Sequence, residues 1–251
     1  MAPEGTERLQ YIYRLQQSKL VSISRLTEDL SGIRESLEIF STEQKALAGA
    51  LESCTNKSRG TIRRLERKNK MEDNDDGEQN IGDSGYESIS PTRKKSYLQT
   101  LWEVHDTSSS VAGSLGRLSV SHKYSAELLD LSVVTVKHFL WRERIFMAII
   151  LGGHDNEALK QVSVRTCALG RWYDGRGKKA YSHLPAYRSL GEVHSRYHEM
   201  INELIDKGVE ELKFSELSEE LAKLEMLSQR LVGLIGQIQY HVELLKNLQN
   251  D

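Results

Sequence analysis

The sequence is poor in proline and cysteine, and each shortage restricts the fold. Three prolines, Pro3, Pro91 and Pro185, occur in 251 residues. Because proline interrupts helices, the long stretches without it favour long helices. The two cysteines, Cys54 and Cys167, lie in different segments and do not form the pattern of a disulfide-rich protein. Hydrophobic residues make up 38% of the chain, which is low for one large globular core.

The sequence also lacks a long hydrophobic run and an excess of charge of one sign. The longest apolar run, residues 145–151, is too short to cross a bilayer. The net charge is −2 with acids and bases interspersed, so we expect no general attraction to nucleic acid or anionic lipid. The first residues show no basic segment followed by an apolar one, the pattern of a secretory signal. We therefore expect a cytoplasmic protein without membrane insertion or nucleic-acid binding.

A seam of mostly apolar residues runs through the first part of the chain in steps of three and four. This is the a/d spacing of a coiled coil, and it predicts a coiled-coil helix over residues 1–70. An amphipathic helix packed within its own monomer is the alternative, but the length of the seam favours a partner helix. The seam consists of Ile23, Leu26, Leu30, Ile33, Leu37, Phe40, Gln44, Leu47, Leu51 and Cys54.

A polar segment separates this helix from a second arm. Residues 71–95 are rich in Asp, Asn, Gly and Ser, and we predict a flexible linker there. A second arm over residues 96–127 has several small or polar seam positions, which give less apolar burial. The two arms could form an antiparallel hairpin with each other, and parallel dimerisation is equally consistent with the seams. The expected partner is a second copy of the chain. The second seam consists of Tyr97, Leu101, Val104, Ser108, Val111, Leu115, Leu118, His122, Ser125 and Leu129.

Three histidines and one cysteine in the second half suit a zinc site. His194 and His198 are four residues apart, so on a helix both imidazoles leave the same face one turn apart. Tetrahedral zinc takes histidine nitrogen at about 2.0–2.1 Å and cysteine sulfur at about 2.3 Å. The remaining ligands must come from elsewhere in the fold, and Cys167 and His138 are the candidates.

The segments that carry these residues resemble the chemoreceptor zinc-binding family. That family has a His-x-x-Trp on one helix, a Cys-x-Leu/Phe-Gly-x-Trp on a second and a His-x-x-x-His on a third. The resemblance covers roughly residues 128–248. The matching residues are His138 with Trp141, Cys167 with Leu169, Gly170 and Trp172, and His194 with His198.

The resemblance implies both a ligand set and a fold. The fold is all-α: an antiparallel bundle of four-helix type over residues 128–251, completed by a final helix and preceded by the long coiled-coil helices. The seam of the final helix consists of Leu217, Leu221, Leu224, Ser228, Leu231, Ile235, Ile238, Val242 and Leu245. The implied ligands of one Zn²⁺ ion are His138, Cys167, His194 and His198.

The other histidines are more simply read as packed or surface residues. His154 is the strongest rival ligand, because it lies near the end of the first bundle helix and could replace His138. The histidines outside the implied ligand set are His105, His122, His154, His183 and His241.

The number of ligands bears directly on function. Four protein ligands leave no position for an activated water, so we expect no enzyme activity. Because the metal ties distant helices together, we expect a zinc-binding regulatory protein whose bundle changes with zinc occupancy or with oxidation of Cys167. The resemblance implies bacterial chemotaxis or cyclic-di-GMP signalling, with a chemoreceptor or other signalling protein as partner. A structural coiled-coil protein stapled by zinc is the alternative. A metallohydrolase is a third interpretation, for which the sequence shows no separate nucleophile and base.

Overall fold

All regular structure is helical in the residues that the computed structural model describes, namely 3–73, 90–150, 163–208 and 211–248. This confirms the predicted all-α class. None of the described helices is both long enough and apolar enough to span a bilayer. The helices are α1 (Pro3–Asp73), α2 (Pro91–Ile150), α3 (Ala168–Trp172), α4 (Lys178–Tyr181), α5 (Pro185–Asp206) and α6 (Phe214–Leu248), with a π-helical turn at Tyr173–Gly177 between α3 and α4.

The two long helices each contribute to two compact units. The first unit comprises Met1–Leu37 and Tyr124–Asp251, and the second comprises Glu38–Lys123. Helix α2 continues without interruption from the second predicted arm into the first helix of the predicted bundle. At the two ends of the predicted linker, residues 71–73 and 91–95 are helical, and most of the linker lies outside the described residues, as does His154. The four-segment division by residue number stays a prediction.

Helices α5 and α6 build much of the core of the first unit. Pro185 occupies the first turn of α5, where its missing N–H costs nothing. The buried positions of α6 repeat in alternating steps of four and three, so one stripe of the helix faces the core. These positions belong to the predicted seam: Leu224, Ser228, Leu231, Ile235, Ile238 and Val242. The stripe of α5 that is buried consists of Tyr187, Leu190, Val193, His194, Tyr197, His198, Ile201 and Leu204.

The second unit is an antiparallel hairpin of α1 and α2, one of the two arrangements that the sequence left open. Ser41 Oγ donates to the Ser119 carbonyl at 2.8 Å, and Ser119 Oγ donates to the Ser41 carbonyl at 2.7 Å. Farther along, Trp102 Nε1 donates to Glu66 Oε1 at 2.7 Å. As the residue number rises on α1 it falls on α2, which fixes the antiparallel direction. The reciprocal serine bonds show that the helix backbones approach closely.

Within the second unit, fewer than half of the positions of each predicted seam lie at this helix contact. On α1 the half-buried residues Gln44 and Leu51 face α2, whereas Phe40 and Leu47 are more than half exposed. The row that replaces them is shifted by one residue and is mostly small or polar. This correction has a steric reason, because small side chains let two helices come closer than leucine or phenylalanine would. The contact row consists of Ser41, Ala48, Thr55 and Ile62 on α1, and His105, Ala112 and Ser119 on α2.

Truncating the core stripe of α6 tests this packing. Ile235 is fully buried, so Ile235→Ala should lower the free energy of unfolding by about 2–5 kcal/mol, through lost apolar burial and the cavity left behind. Met226 on the same helix is mostly exposed, so Met226→Ala should change it by less than about 0.5 kcal/mol. Urea titration followed by circular dichroism measures both values. Similar losses in the two variants would contradict the orientation of α6.

Candidate metal centre

Cys167 lies immediately before α3 and caps its first turn. Its backbone is extended, with φ −68° and ψ 162°, and its Sγ accepts a hydrogen bond from the Gly170 N–H at 3.2 Å. Gly170 is required here, because a Cβ at this position would lie 1.7 Å from the Val164 carbonyl oxygen. The backbone at Val164, just before α3, therefore packs against Gly170 in the first turn of α3. This contact, together with the Gly170 N–H hydrogen bond, holds the sulfur in position.

His194 and His198 project from one face of α5 toward that sulfur. The two Nε2 atoms are 3.1 Å apart, and Cys167 Sγ lies 3.2 Å from His194 Nε2. The ligand atoms of the three residues all lie within 4.8 Å of one another. Both imidazoles are buried, with 2% exposure for His194 and 1% for His198. The structure thus brings together three of the four predicted ligands.

His138 lies close by but is not part of this group. Its side chain is buried at 3% exposure, and its Nε2 lies 3.1 Å from the Ser228 hydroxyl. Its ring centroid is 5.4 Å from that of Tyr197, a neighbour of His198 in the chain. Arg142 Nη1 also donates to Ser228 Oγ, at 3.3 Å. A role for His138 as fourth ligand stays a prediction, and it requires exchange of the Ser228 contact for the metal.

Burial controls the protonation of all four side chains. It lowers the pKa of His138 to about 4, and the Arg142 guanidinium and His198 add to the shift. Burial also lowers the pKa of His194 to about 4 and that of His198 to about 3, each with a contribution from a neighbouring histidine. The imidazoles are therefore neutral at neutral pH, the form that binds metals. Burial raises the pKa of the Cys167 thiol, so metal binding must release its proton.

Helix α3 is anchored to the rest of the unit through Asp130 on α2. Trp172 Nε1 donates to Asp130 Oδ2 at 2.7 Å. The other carboxylate oxygen lies 3.4 Å from Arg34 Nε on α1 and 3.7 Å from Arg176 Nη1. Arg34 is 5% exposed, so this ion pair is shielded from water and weakly screened by salt. Asp130 therefore connects α3, the helix that Cys167 caps, to α1.

The donor set fits zinc in type and in spacing. Nitrogens bound to a tetrahedral zinc ion lie about 3.4 Å apart, and nitrogen and sulfur about 3.6 Å apart. The observed separations of 3.1 and 3.2 Å are slightly shorter, so the three atoms already lie near the positions of ligands around one ion. Two Nε2 atoms that face each other share at most one proton, and a cation between them satisfies both lone pairs. Soft sulfur with imidazole nitrogen favours zinc over magnesium or calcium.

Sequence reasoning missed Ser228, Asp130 and Arg142. Ser228 carried a signal, because it is a hydroxyl within the apolar seam of α6. Asp130 and Arg142 carried none, since a charged residue on a long helix is usually solvated. Two buried atoms have no hydrogen-bond partner among the described residues, the Tyr197 hydroxyl and His198 Nδ1.

The family comparison agrees with this geometry. Residues 138–205 match the chemoreceptor zinc-binding domain. This confirms the resemblance for a little more than a quarter of the chain, and the matched segment contains all four predicted ligands. Neither the curated proteins nor the solved structures include a significant match to the chain. The match thus runs from the end of α2 through α3 and α4 to the last turn of α5, whereas the hairpin of the second unit lies outside it.

Removing the α5 histidines tests the ligand set. The double variant His194→Ala/His198→Ala should lose tight zinc binding, because a single sulfur and one distant imidazole remain. His183→Ala is the matched control, since His183 is exposed and its ring pairs with His241 instead. Zinc per chain, measured by mass spectrometry after dialysis against a weak chelator, should fall toward zero only in the double variant. Equal zinc content in both proteins would show that the ligands are misassigned.

The same measurement defines the part played by His138. His138→Ala should weaken zinc binding by more than about 10- to 100-fold if this residue supplies the fourth ligand, because that much is lost when a group that only orients a ligand is removed. Ser228→Ala should leave zinc binding intact or strengthen it, because it removes the hydroxyl that competes for His138 Nε2. Unchanged affinity in His138→Ala would assign a three-residue site.

The lowered histidine pKa values predict an acid-sensitive metal-free bundle. The folded values lie below the ordinary 6.5, so under acid the unfolded chain binds more protons and stability falls as the pH drops from about 6.5 toward 4. Between about pH 7.5 and pH 5.5 the loss should be on the order of 1 kcal/mol for each of the three histidines. Urea titration with a chelator present measures it. His198→Gln should flatten the pH dependence, and His183→Ala should not; a flat profile in the unmodified chain would be inconsistent with neutral buried imidazoles.

Proposed function

We propose that this protein is a cytoplasmic zinc-binding regulatory protein of bacterial signalling, acting in chemotaxis or in cyclic-di-GMP pathways. The convergence of Cys167, His194 and His198 within 4.8 Å carries the proposal. The match of the surrounding segment to a chemoreceptor zinc-binding domain supports it. The pathway follows from the family resemblance, and the partner is a chemoreceptor or another signalling protein. Zinc occupancy is the input, and a change in the bundle is the output.

The ligands belong to separate segments, so zinc binding couples those segments. Cys167 precedes α3, and His194 and His198 lie on α5. Binding requires the Cys167 thiol to lose its proton and His138 to leave Ser228. Movement of α3 would then be passed to Asp130 through Trp172, and from Asp130 to Arg34 on α1. Because α1 is one helix from Pro3 to Asp73, its remaining turns are the route to a partner.

With His138 as the fourth ligand, the site would favour a binding function over catalysis. A closed zinc site has no position for the water that a hydrolase activates. When bound, zinc supplies a cross-link between helices. The chain's own residues supply neutral imidazoles, a thiolate and a buried setting.

Oxidation of Cys167 offers a second input to the same site. Hydrogen peroxide would react at the sulfur: the thiolate attacks one oxygen, the O–O bond breaks, and a sulfenate and water are formed. The sulfenate no longer provides the thiolate donor, so the zinc affinity falls. The half-buried position of Cys167, in contrast to the buried histidines, supports access of a small oxidant.

Hydrogen exchange tests the proposal directly. With free zinc at about 100 times the dissociation constant, amides in α3 and the first turns of α5 should exchange about a hundredfold more slowly than in chelated protein. A smaller protection should reach α1 around Arg34, and peroxide treatment should remove both effects. In Asp130→Asn the effect on α3 should persist and the effect on α1 should disappear. No change in α1 in the unmodified protein would contradict the proposed route.

A structural staple is the second candidate, and the burial of His194 and His198 favours it. A deeply buried ion exchanges slowly, as structural zinc does. Zinc titration with buffered free-metal concentrations separates the two functions. Occupancy that changes across the cellular range of free zinc supports the sensor, whereas constant full occupancy supports the staple.

A further inference from the structure

The first unit contains a cavity of about 710 Å³ beside the metal centre. The first third of α1, the end of α2 and the start of α3 line this cavity, and Cys167 is among the lining residues. Cavities of about 300–1,000 Å³ are the usual size of small-molecule sites. The cavity therefore has room for a ligand much larger than a metal ion.

The charge of the residues that line this cavity is mostly of one sign. Glu28 is the only acidic residue among the described residues of the lining, whereas the whole chain has a net charge of −2. The positive charge is therefore concentrated at the cavity and does not reflect the composition of the chain. The cationic residues of the lining are Arg25 on α1, Lys137 and Arg144 on α2, and Arg171 on α3.

These four cationic side chains are not neutralised by their neighbours. None of them forms an ion pair or a side-chain hydrogen bond with another residue in the described part of the chain. Burial raises the pKa of the Cys167 thiol, and the Arg171 guanidinium acts in the opposite direction, so the positive charge is felt at the cavity wall. Positive side chains around a partly enclosed space attract anions into it. The cavity therefore favours a negatively charged ligand.

Trp141 provides an aromatic wall whose position is fixed. Its ring stacks on that of His198, with the centroids 4.8 Å apart and 30° between the planes, and lies 6.0 Å from the ring of Tyr197. Leu20 and Leu140 add apolar surface to the same cavity. An aromatic ring packs well against an aromatic wall. A ligand with a ring and a negative charge therefore suits the cavity better than an inorganic anion does.

We propose that this cavity binds a small aromatic acid, with its ring against Trp141 and its carboxylate or phosphate held by the arginine and lysine side chains. Arginine suits this role, because a guanidinium group donates two parallel hydrogen bonds to a carboxylate or a phosphate. The site uses only side chains of this protein and does not require zinc. It thus goes beyond the proposed zinc function and gives the protein a second, organic ligand next to the metal centre.

An NMR titration of the full zinc-loaded chain with phenyl phosphate and with benzoate tests the proposal. The indole N–H signal of Trp141, identified by its loss in Trp141→Phe, should shift and saturate as the acid is added at up to about 10 mM. Benzyl alcohol has the same ring without the charge and should leave the signal in place. Saturation with phenyl phosphate alone assigns the site to phosphate esters, saturation with benzoate alone assigns it to carboxylic acids, and saturation with both supports either.

Matched arginine variants connect the binding to the cavity. Arg25→Gln/Arg144→Gln removes two of its cations and should weaken binding by at least about tenfold, since each provides a hydrogen bond to a charged group. Arg188→Gln/Arg230→Gln removes the same charge at positions outside the lining and should keep the affinity of the unmodified chain. All four arginines are exposed, so both variants should keep their helical circular dichroism and zinc content.

The absence of a saturable shift with either acid overturns the proposal, as does equal binding of benzyl alcohol. Unchanged affinity in Arg25→Gln/Arg144→Gln overturns it, and so does equal weakening in the two double variants, which would indicate attraction by the overall charge. The titration is repeated on zinc-free protein after dialysis, where the shift should persist. A shift that disappears without zinc would place the acid on the metal and overturn the proposal. Because the cavity is measured with and without zinc, failure of this proposal is distinguishable from failure of zinc binding.

Discussion

Two buried imidazole nitrogens and a half-buried thiol sulfur meet in the first unit, and their contact sets the conditions for the metal centre. Cys167 Sγ, His194 Nε2 and His198 Nε2 are each donors or acceptors whose burial costs free energy unless they are well partnered. They partner one another at 3.1 and 3.2 Å, which is a poor solution for two imidazole nitrogens and a neutral thiol. A divalent cation satisfies all three at once. For the two imidazoles the neutral state imposed by burial is also the state that binds metal, whereas the Cys167 thiol must lose its proton first.

The part of this centre that depends on local geometry was predictable from the sequence. A four-residue interval on a helix places His194 and His198 on one face whatever the rest of the fold does. Cys167 was predictable through its motif, in which Gly170 and Trp172 stand at fixed offsets. The contact of His138 with Ser228 was not predictable, because it joins two helices ninety positions apart and depends on their relative rotation. The role of Asp130 was not predictable either, because it depends on a hydrogen bond from Trp172 and an ion pair with Arg34, and both residues are distant in sequence.

For the long helices, the sequence periodicity predicted their helical character and extent but not which side of each helix contacts its neighbour. The seam on α6 faces the core as its spacing indicated, because large apolar side chains there have only one interior to enter. On α1 and α2 two adjacent rows compete for the contact between the helices. The row that includes Ser41 and Ala48 occupies it, and the row that includes Phe40 and Leu47 does not. A spacing of three and four residues describes both choices equally well, so side-chain size and close approach decide between them.

The position of Cys167 depends on the absence of a side chain at Gly170, a residue that is not among the predicted ligands. A methyl group there would occupy the space of the Val164 carbonyl oxygen, so the backbone segment leading to Cys167 would have to shift. The thiol would shift with it, since its own turn holds it in place. Metal affinity thus depends on a glycine that supplies no predicted ligand atom. A substitution at Gly170 alone would lower the affinity, even with Cys167, His194 and His198 all present.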